Sequence, residues 1–251
     1  GTTGNKTFTA NWTANTNTAY VVNHYTKNLG ATTYTLNSTE NKTGTSDGSL
    51  TLANLKKTIS GFTYSEGYAG TAATGTTKPT SGAVTTTTVL ANGTRVINLY
   101  YTRDTYALTL STSTGIASVT GAGTYEYGAS VAISATLSNG YDWSTWTKTA
   151  GTTPTTYVAG TRNQTIVMGA GAVTLQASAS VHTYSITYTL NNGTHGTTHP
   201  ATYKITDNDF TISDPTRTGY TFTGWTVTTA PSAWGSGSST SGSTSFKVAK
   251  G

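Results

Sequence analysis

The chain has 251 residues, a formal net charge of +5 and no cysteine. Its Lys and Arg are scattered, never gathered with aromatics into the basic footprint of a nucleic-acid surface, and without Cys there is neither a disulfide framework nor a Cys-based zinc site. Charged residues make up only 9% while Thr, Tyr, Val and Gly abound, a strand-and-turn composition, and no apolar run approaches the ~20 residues of a membrane helix.

Residues 1–14, "GTTGNKTFTANWTA", read as a Gly/Asn turn and an alternating strand, with Phe8, Ala10 and Trp12 on one side and Thr7, Thr9 and Asn11 on the other. After a polar hinge around Asn15 comes the strand "TAYVVNHY". The segment 52–59, "LANLKKTI", is the best helical candidate, only about two turns long. "GFTYSEG" at Gly61 is a turn into a strand, and Asn92-Gly93 is a hairpin signal. "VINLYYTRDTYALTL" is strand, short hinge and strand, with Ile97, Leu99 and Tyr101 before the break and Tyr106, Leu108 and Leu110 after it. "GYDWSTW" at Gly140 and the strand–hinge–strand phrase around Ser180 follow, with Tyr184, Ile186, Tyr188 and Leu190 alternating beyond it. Asn192-Gly193, "GYTFTGW" at Gly219, a flexible Gly/Ser loop from Ser232 and a strand begun by Phe246 and Val248 complete the chain.

Gly61, Gly140 and Gly219 open the same phrase and are 79 residues apart each time, a structural period. The hinges divide the chain into a closing strand at 1–14, units at 15–104 and 105–181, and a unit at 182–251 that lacks a last strand. The fold expected is mainly β: a tandem array of small β-grasp-like domains joined end to end by strand–strand linkers. The first strand and the unclosed last unit complement each other. The chain therefore reads as one register-shifted period of an array, or as a subunit that lends its first strand to a neighbour. Phe8, Ala10 and Trp12 are expected to meet the strand of Phe246 and Val248 in a neighbouring copy.

The stretch "ITYTLNNGTHGTTHPATYKITDNDFTISDPTRTGYTFTGWTV", with "PTRTGYTFTGW" at Pro215 to Trp225, resembles the Listeria–Bacteroides repeat, and "GNKTFTANW" is similar to that family's terminal strand. "YALTLSTSTGIASVTGAGTYEYGASVAISATLSNGYDWSTW" resembles the divergent internalin B-type repeat. "AYVVNHYTKNLG", "GFTYSEG" and "INLYYTR" together resemble a mucin-binding-protein (MucBP) module. These resemblances imply a string of β-grasp-like domains in an extracellular protein at the bacterial cell surface or cell wall.

Chemistry is sparse. His195 and His199 in "HGTTH" lack a third metal ligand and the helical spacing of zinc sites, and read as a solvated loop. Asp207 and Asp209 offer too few oxygens for calcium and read as a polar turn. No carboxylate pair, nucleophile elbow or phosphate loop is present, so neither an enzyme nor a cofactor is expected. Trp143, Trp146, Trp225, Tyr125 and Tyr127 could stack on sugars, but their recurrence at a fixed period favours core packing. Trp234, in the Gly/Ser loop, escapes the pattern and is the candidate ligand contact. The expected function is a structural repeat of a stalk, adhesin or filament, partnered head to tail by further copies. The alternatives are a glycan- or mucin-binding module and separate filament subunits joined by donor-strand complementation.

Overall fold

The computed structural model describes residues 1–230 and 235–249. It is mainly β, and no sheet contains strands from both sides of Asp104 or of His182.

The first unit holds β1 (Thr18–Lys27), β2 (Tyr34–Gly44), β3 (Ser49–Thr51), β4 (Phe62–Gly70), β5 (Thr86–Thr88) and β6 (Arg95–Arg103). Its main sheet runs β2-β1-β6-β4, with β1 and β6 parallel and the outer pairs antiparallel. Alternation splits the side chains between two faces. Tyr20, Val22, Ile97, Leu99 and Tyr101 meet Leu52 and Val89 on one, and Tyr25, Tyr34, Tyr68 and Tyr100 cluster on the other. The β3–β5 pair lies apart from this sheet. Of the helix expected over 52–59, only a 3-10 turn at Leu52–Asn54 forms. A two-turn segment has too few hydrogen bonds to offset helix nucleation. Here tertiary contacts win instead: Leu52 is fully buried and the Lys57 N–H donates to the Tyr101 hydroxyl at 2.8 Å.

The second unit holds β7 (Thr105–Thr112), β8 (Ile116–Thr120), β9 (Gly123–Glu126), β10 (Ser130–Leu137), β11 (Tyr141–Gly151), β12 (Gln164–Val167) and β13 (Val173–Val181). One sheet runs β11-β13-β7-β9 and another β12-β10-β8. Between them lies a core that includes Leu108, Ile133, Trp146, Ile166 and Leu175. The strand order repeats that of the first unit, and the first strand is again parallel to the last. Parallel terminal strands make the chain enter a unit at one pole and leave it at the other.

The two units also share cross-strand register. Phe62 faces Arg103 and Tyr64 faces Tyr101, just as Tyr141 faces Val181 and Trp143 faces Ala179. A bulge follows in both. The next inward pair is Gly67 with Leu99 in one unit and Trp146 with Ala177 in the other. A missing side chain opposite a large one has been exchanged for a large one opposite a small one. A Cβ on Gly67 would sit 2.8 Å from a Leu99 methyl.

The third unit has β14 (Tyr184–Ser185), β15 (Thr202–Tyr203), β16 (Phe210–Ile212) and β17 (Phe246–Val248), paired as β14-β15 and β16-β17. Tyr184 faces Tyr203 as Tyr106 faces Tyr125, so the β7–β9 pairing recurs. The alternating segment 184–190 is strand only in its first two residues, and 220–227 contains no strand. Their counterparts β7 and β11 each bond to β13, and among the described residues the third unit has no such central strand. Residues 1–14 likewise form no strand.

Candidate functional site: the joints between units

The first joint begins with Gly61, whose φ of 78° is left-handed and therefore suits glycine. Its carbonyl accepts the Asp104 N–H at 3.0 Å, and a Cβ there would lie 2.2 Å from the Tyr127 ring of the second unit. Tyr127 packs edge-on to Phe62, centroids 5.7 Å apart. The Arg103 guanidinium lies 4.7 Å from the Phe62 ring centroid and 5.9 Å from that of Tyr127. Arg103 Nη1 also donates to the Tyr127 carbonyl at 2.6 Å and Nε to the Lys27 carbonyl at 3.2 Å. Thr63 Oγ1 donates to the Asp104 carboxylate at 2.7 Å. Beside them Glu126 accepts the Gly30 N–H and pairs with Lys27 across the boundary. Fixed donors, a planar cation and two rings leave little freedom at this hinge.

The second joint repeats the plan with other residues. Gly140 has the same φ of 78°, and its carbonyl accepts the His182 N–H at 2.8 Å. A Cβ there would lie 2.8 Å from the Ile205 side chain of the third unit. His182 Nδ1 is 2.7 Å from the Asp142 carboxylate, the counterpart of Thr63 with Asp104. Gly219 carries φ 78° once more, but an added Cβ would meet nothing within 4 Å.

The remaining candidate residues divide as follows. Phe8 and Trp12 are each 91% exposed and Ala10 is exposed. Phe246 is buried, facing Ile212 across β16–β17, and Val248 faces Phe210. Trp234 lies outside the described residues. Trp146 is fully buried with its indole N–H on the Arg162 carbonyl. The Trp143 indole N–H donates to the Gly160 carbonyl, and the Tyr125 hydroxyl to the Gly121 carbonyl. Trp225 packs on Tyr188 and Phe222, and its buried indole N–H has no hydrogen-bond partner among the described residues. The described part of the Gly/Ser stretch folds back on it, with the Trp225 backbone N–H donating to the Ser243 carbonyl and the Gly242 N–H to the Trp225 carbonyl. His195 and His199 stack at 4.2 Å. Asp207 accepts the Lys204 N–H and Asp209 pairs with Lys247. Among the described residues no three His, Asp or Glu converge on a metal position.

Two features escape the sequence reading. Arg103 clamps the first joint, yet its counterpart in the second unit is Val181, so the repeat itself conceals it. His24 is fully buried in the first unit. Its Nδ1 is 2.9 Å from the Tyr101 hydroxyl, which also accepts the Lys57 N–H, and its Nε2 has no hydrogen-bond partner among the described residues. That nitrogen is 3.7 Å from Glu40, whose carboxylate is claimed by Lys42 at 2.7 Å and Lys57 at 2.5 Å. Desolvation first, and then the Lys57 charge, hold the His24 pKa below its ordinary value. Hydrogen bonds from Lys42 and Lys57 hold the Glu40 carboxyl at about 2. The signal was the alternation that places His24 two residues after the buried Val22.

Residues 106–179 match the family model of the divergent InlB B-repeat domain. The match spans the second unit from β7 into β13, the stretch whose sequence carries that resemblance. No curated protein and no solved structure matches the chain.

Proposed function

We propose that the chain is a repeat segment of a bacterial stalk, adhesin or filament at the cell surface or cell wall, built of β-grasp-like units set head to tail, and that its work is reach. The strongest support is the joint that recurs at Gly61 and Gly140 with one backbone geometry and different side chains. The first and second units also each have their first and last strands parallel at the sheet centre. A chain entering at one pole and leaving at the opposite one advances by a unit length per domain, and a clamped hinge keeps that advance from folding back. The family matched by the second unit is typical of bacterial surface proteins. Quasi-linear stacking of this kind makes stability a sum of unit and neighbour terms.

Small-angle X-ray scattering on the full chain tests the reading. A single extended shape that broadens in Arg103→Ala is expected. Scattering of freely jointed beads from the unaltered chain would overturn it.

A further inference from the structure

The third unit and residues 6–15 fit each other in register, in side-chain size and at the hinge. Counting back from the hinge, Asn15 stands where Asp104 and His182 stand. The Ser46 N–H donates to the Asn15 carbonyl at 2.7 Å, as the Tyr127 N–H does to that of Asp104 at 2.8 Å. Phe8 then takes the place of Ile97 and Leu175, and Ala10 that of Leu99 and Ala177, all four of them fully buried. Trp12 takes the place of Tyr101 and Ala179.

We propose that residues 6–14 of a second copy of this chain enter the third unit as its central strand, parallel to 186–190 and antiparallel to 220–227. Transferring the second unit's register puts Thr7 opposite Thr187 and Phe8 opposite Tyr188 on one side. On the other it puts Trp12 opposite Phe222, Ala10 opposite Trp225 and Thr9 opposite Thr226. The size rule decides the fit. Where the second unit has Trp146, the closing strand offers Ala177, and where the third has Trp225 the incoming strand offers Ala10. Tyr188 and Trp225 already meet at 5.6 Å between ring centroids, so the position between them suits a small side chain. The hinge completes the match. Gly219 has its open left-handed position, ready for the Asn15 N–H of the second copy, with Ser46 brought to the place of Tyr127 and Ile205. Thr221 would meet the Asn15 side chain as Thr63 meets Asp104 and Asp142 meets His182. In this register β17 is not the strand's hydrogen-bonding partner. Its counterpart β12 lies in the other sheet, so Phe246 and Val248 would meet the strand through side chains alone.

The inference rests on the stacked-unit reading and names its partner, and the two fail separately: scattering reports joints inside one chain, cross-linking reports contact between chains. Because the chain has no Cys, single exposed cysteines can be placed cleanly. Thr9→Cys and Thr226→Cys chains, purified separately and mixed under mild oxidation, should form a mixed disulfide at least tenfold faster than Thr9→Cys with Lys247→Cys on β17. Adding Ala10→Leu to the Thr9→Cys chain should abolish the difference, since Leu at this position needs the Gly it has in the first unit. Absence of the Thr9–Thr226 disulfide, equal or faster coupling to Lys247→Cys, or indifference to Ala10→Leu would each overturn the proposal. Unchanged circular dichroism of each single variant shows that the comparison is made on folded protein.

Discussion

Gly61→Ala isolates what the first joint contributes. The left-handed backbone, φ 78°, costs an alanine about 1–2 kcal/mol wherever it occurs. At Gly61 the new methyl would also lie 2.2 Å from a Tyr127 ring carbon, where ordinary carbon contacts begin at about 3.5 Å. The ring has to retreat by more than an ångström. It then gives up its edge contact with Phe62, worth about 0.5–1.5 kcal/mol, and part of the Arg103 interaction, about 0.5–1 kcal/mol. The whole substitution should therefore cost about 2–4 kcal/mol. In a Tyr127→Ala background the clash is gone and the same change should cost only the backbone share, about 1–2 kcal/mol. Gly219→Ala, with the same φ and no neighbour within 4 Å, should resemble that second figure. The assay is urea denaturation of all four variants in a double-mutant cycle, with scattering on the same samples to follow the joint. Equal costs of Gly61→Ala with and without Tyr127 would refute the reasoning.

Arg103→Lys should loosen the first joint nearly as much as Arg103→Ala, because an ammonium cannot reproduce the planar fork that reaches two carbonyls and two rings; scattering or residual dipolar couplings would register it. Trp146→Ala should cost the second unit about 3–5 kcal/mol by thermal or chemical melting, the largest loss of any single truncation there. Gly67→Ala should destabilise the first unit by about 1–3 kcal/mol through overpacking against Leu52 and Leu99, measured by chemical melting. The first unit should also weaken in acid in two stages. His24 has a folded pKa below 6.5, so its contribution is complete above 6.5 and declines as pH falls towards that lower value. Glu40, ordinarily at 4.5 and here at about 2, contributes fully above its unfolded pKa and loses that contribution as pH falls from there through 2. Calorimetry across pH 7 to 2 would show both stages, and His24→Asn should remove only the first.

What was legible in the sequence was the periodic part. The spacing of Gly61, Gly140 and Gly219 implied one turn used three times, and all three share one φ. Alternation around Tyr106 and Tyr184 marked the strands that open the second and third units. The reading failed where structure depends on a partner far along the chain. Residues 186–190 and 220–227 alternate as well as any strand here, yet sheet formation requires a ladder neighbour, and propensity alone does not supply one. Residues 52–59 looked helical because Leu, Lys and Ile recur at the right intervals, but with Leu52 buried and the Lys57 N–H bonded to Tyr101 only a 3-10 turn at Leu52–Asn54 forms. The Arg103 clamp was invisible for a different reason: it is a side-chain solution peculiar to one joint, and comparing repeats averages such solutions away.

The exchange of Gly67 with Leu99 for Trp146 with Ala177 bears on how such a chain avoids errors while it folds. Adjacent domains of similar topology are prone to swap elements during folding. Here β6 and β13 would each have a plausible backbone site in the neighbouring unit, since register and strand order agree. Side-chain volume forbids the trade. Leu99 brought opposite Trp146 would overfill the core, and Ala177 brought opposite Gly67 would leave a hole between the sheets. Each closing strand therefore carries a size address that only its own unit accepts, and neighbours sharing one fold can be made in succession without trading strands.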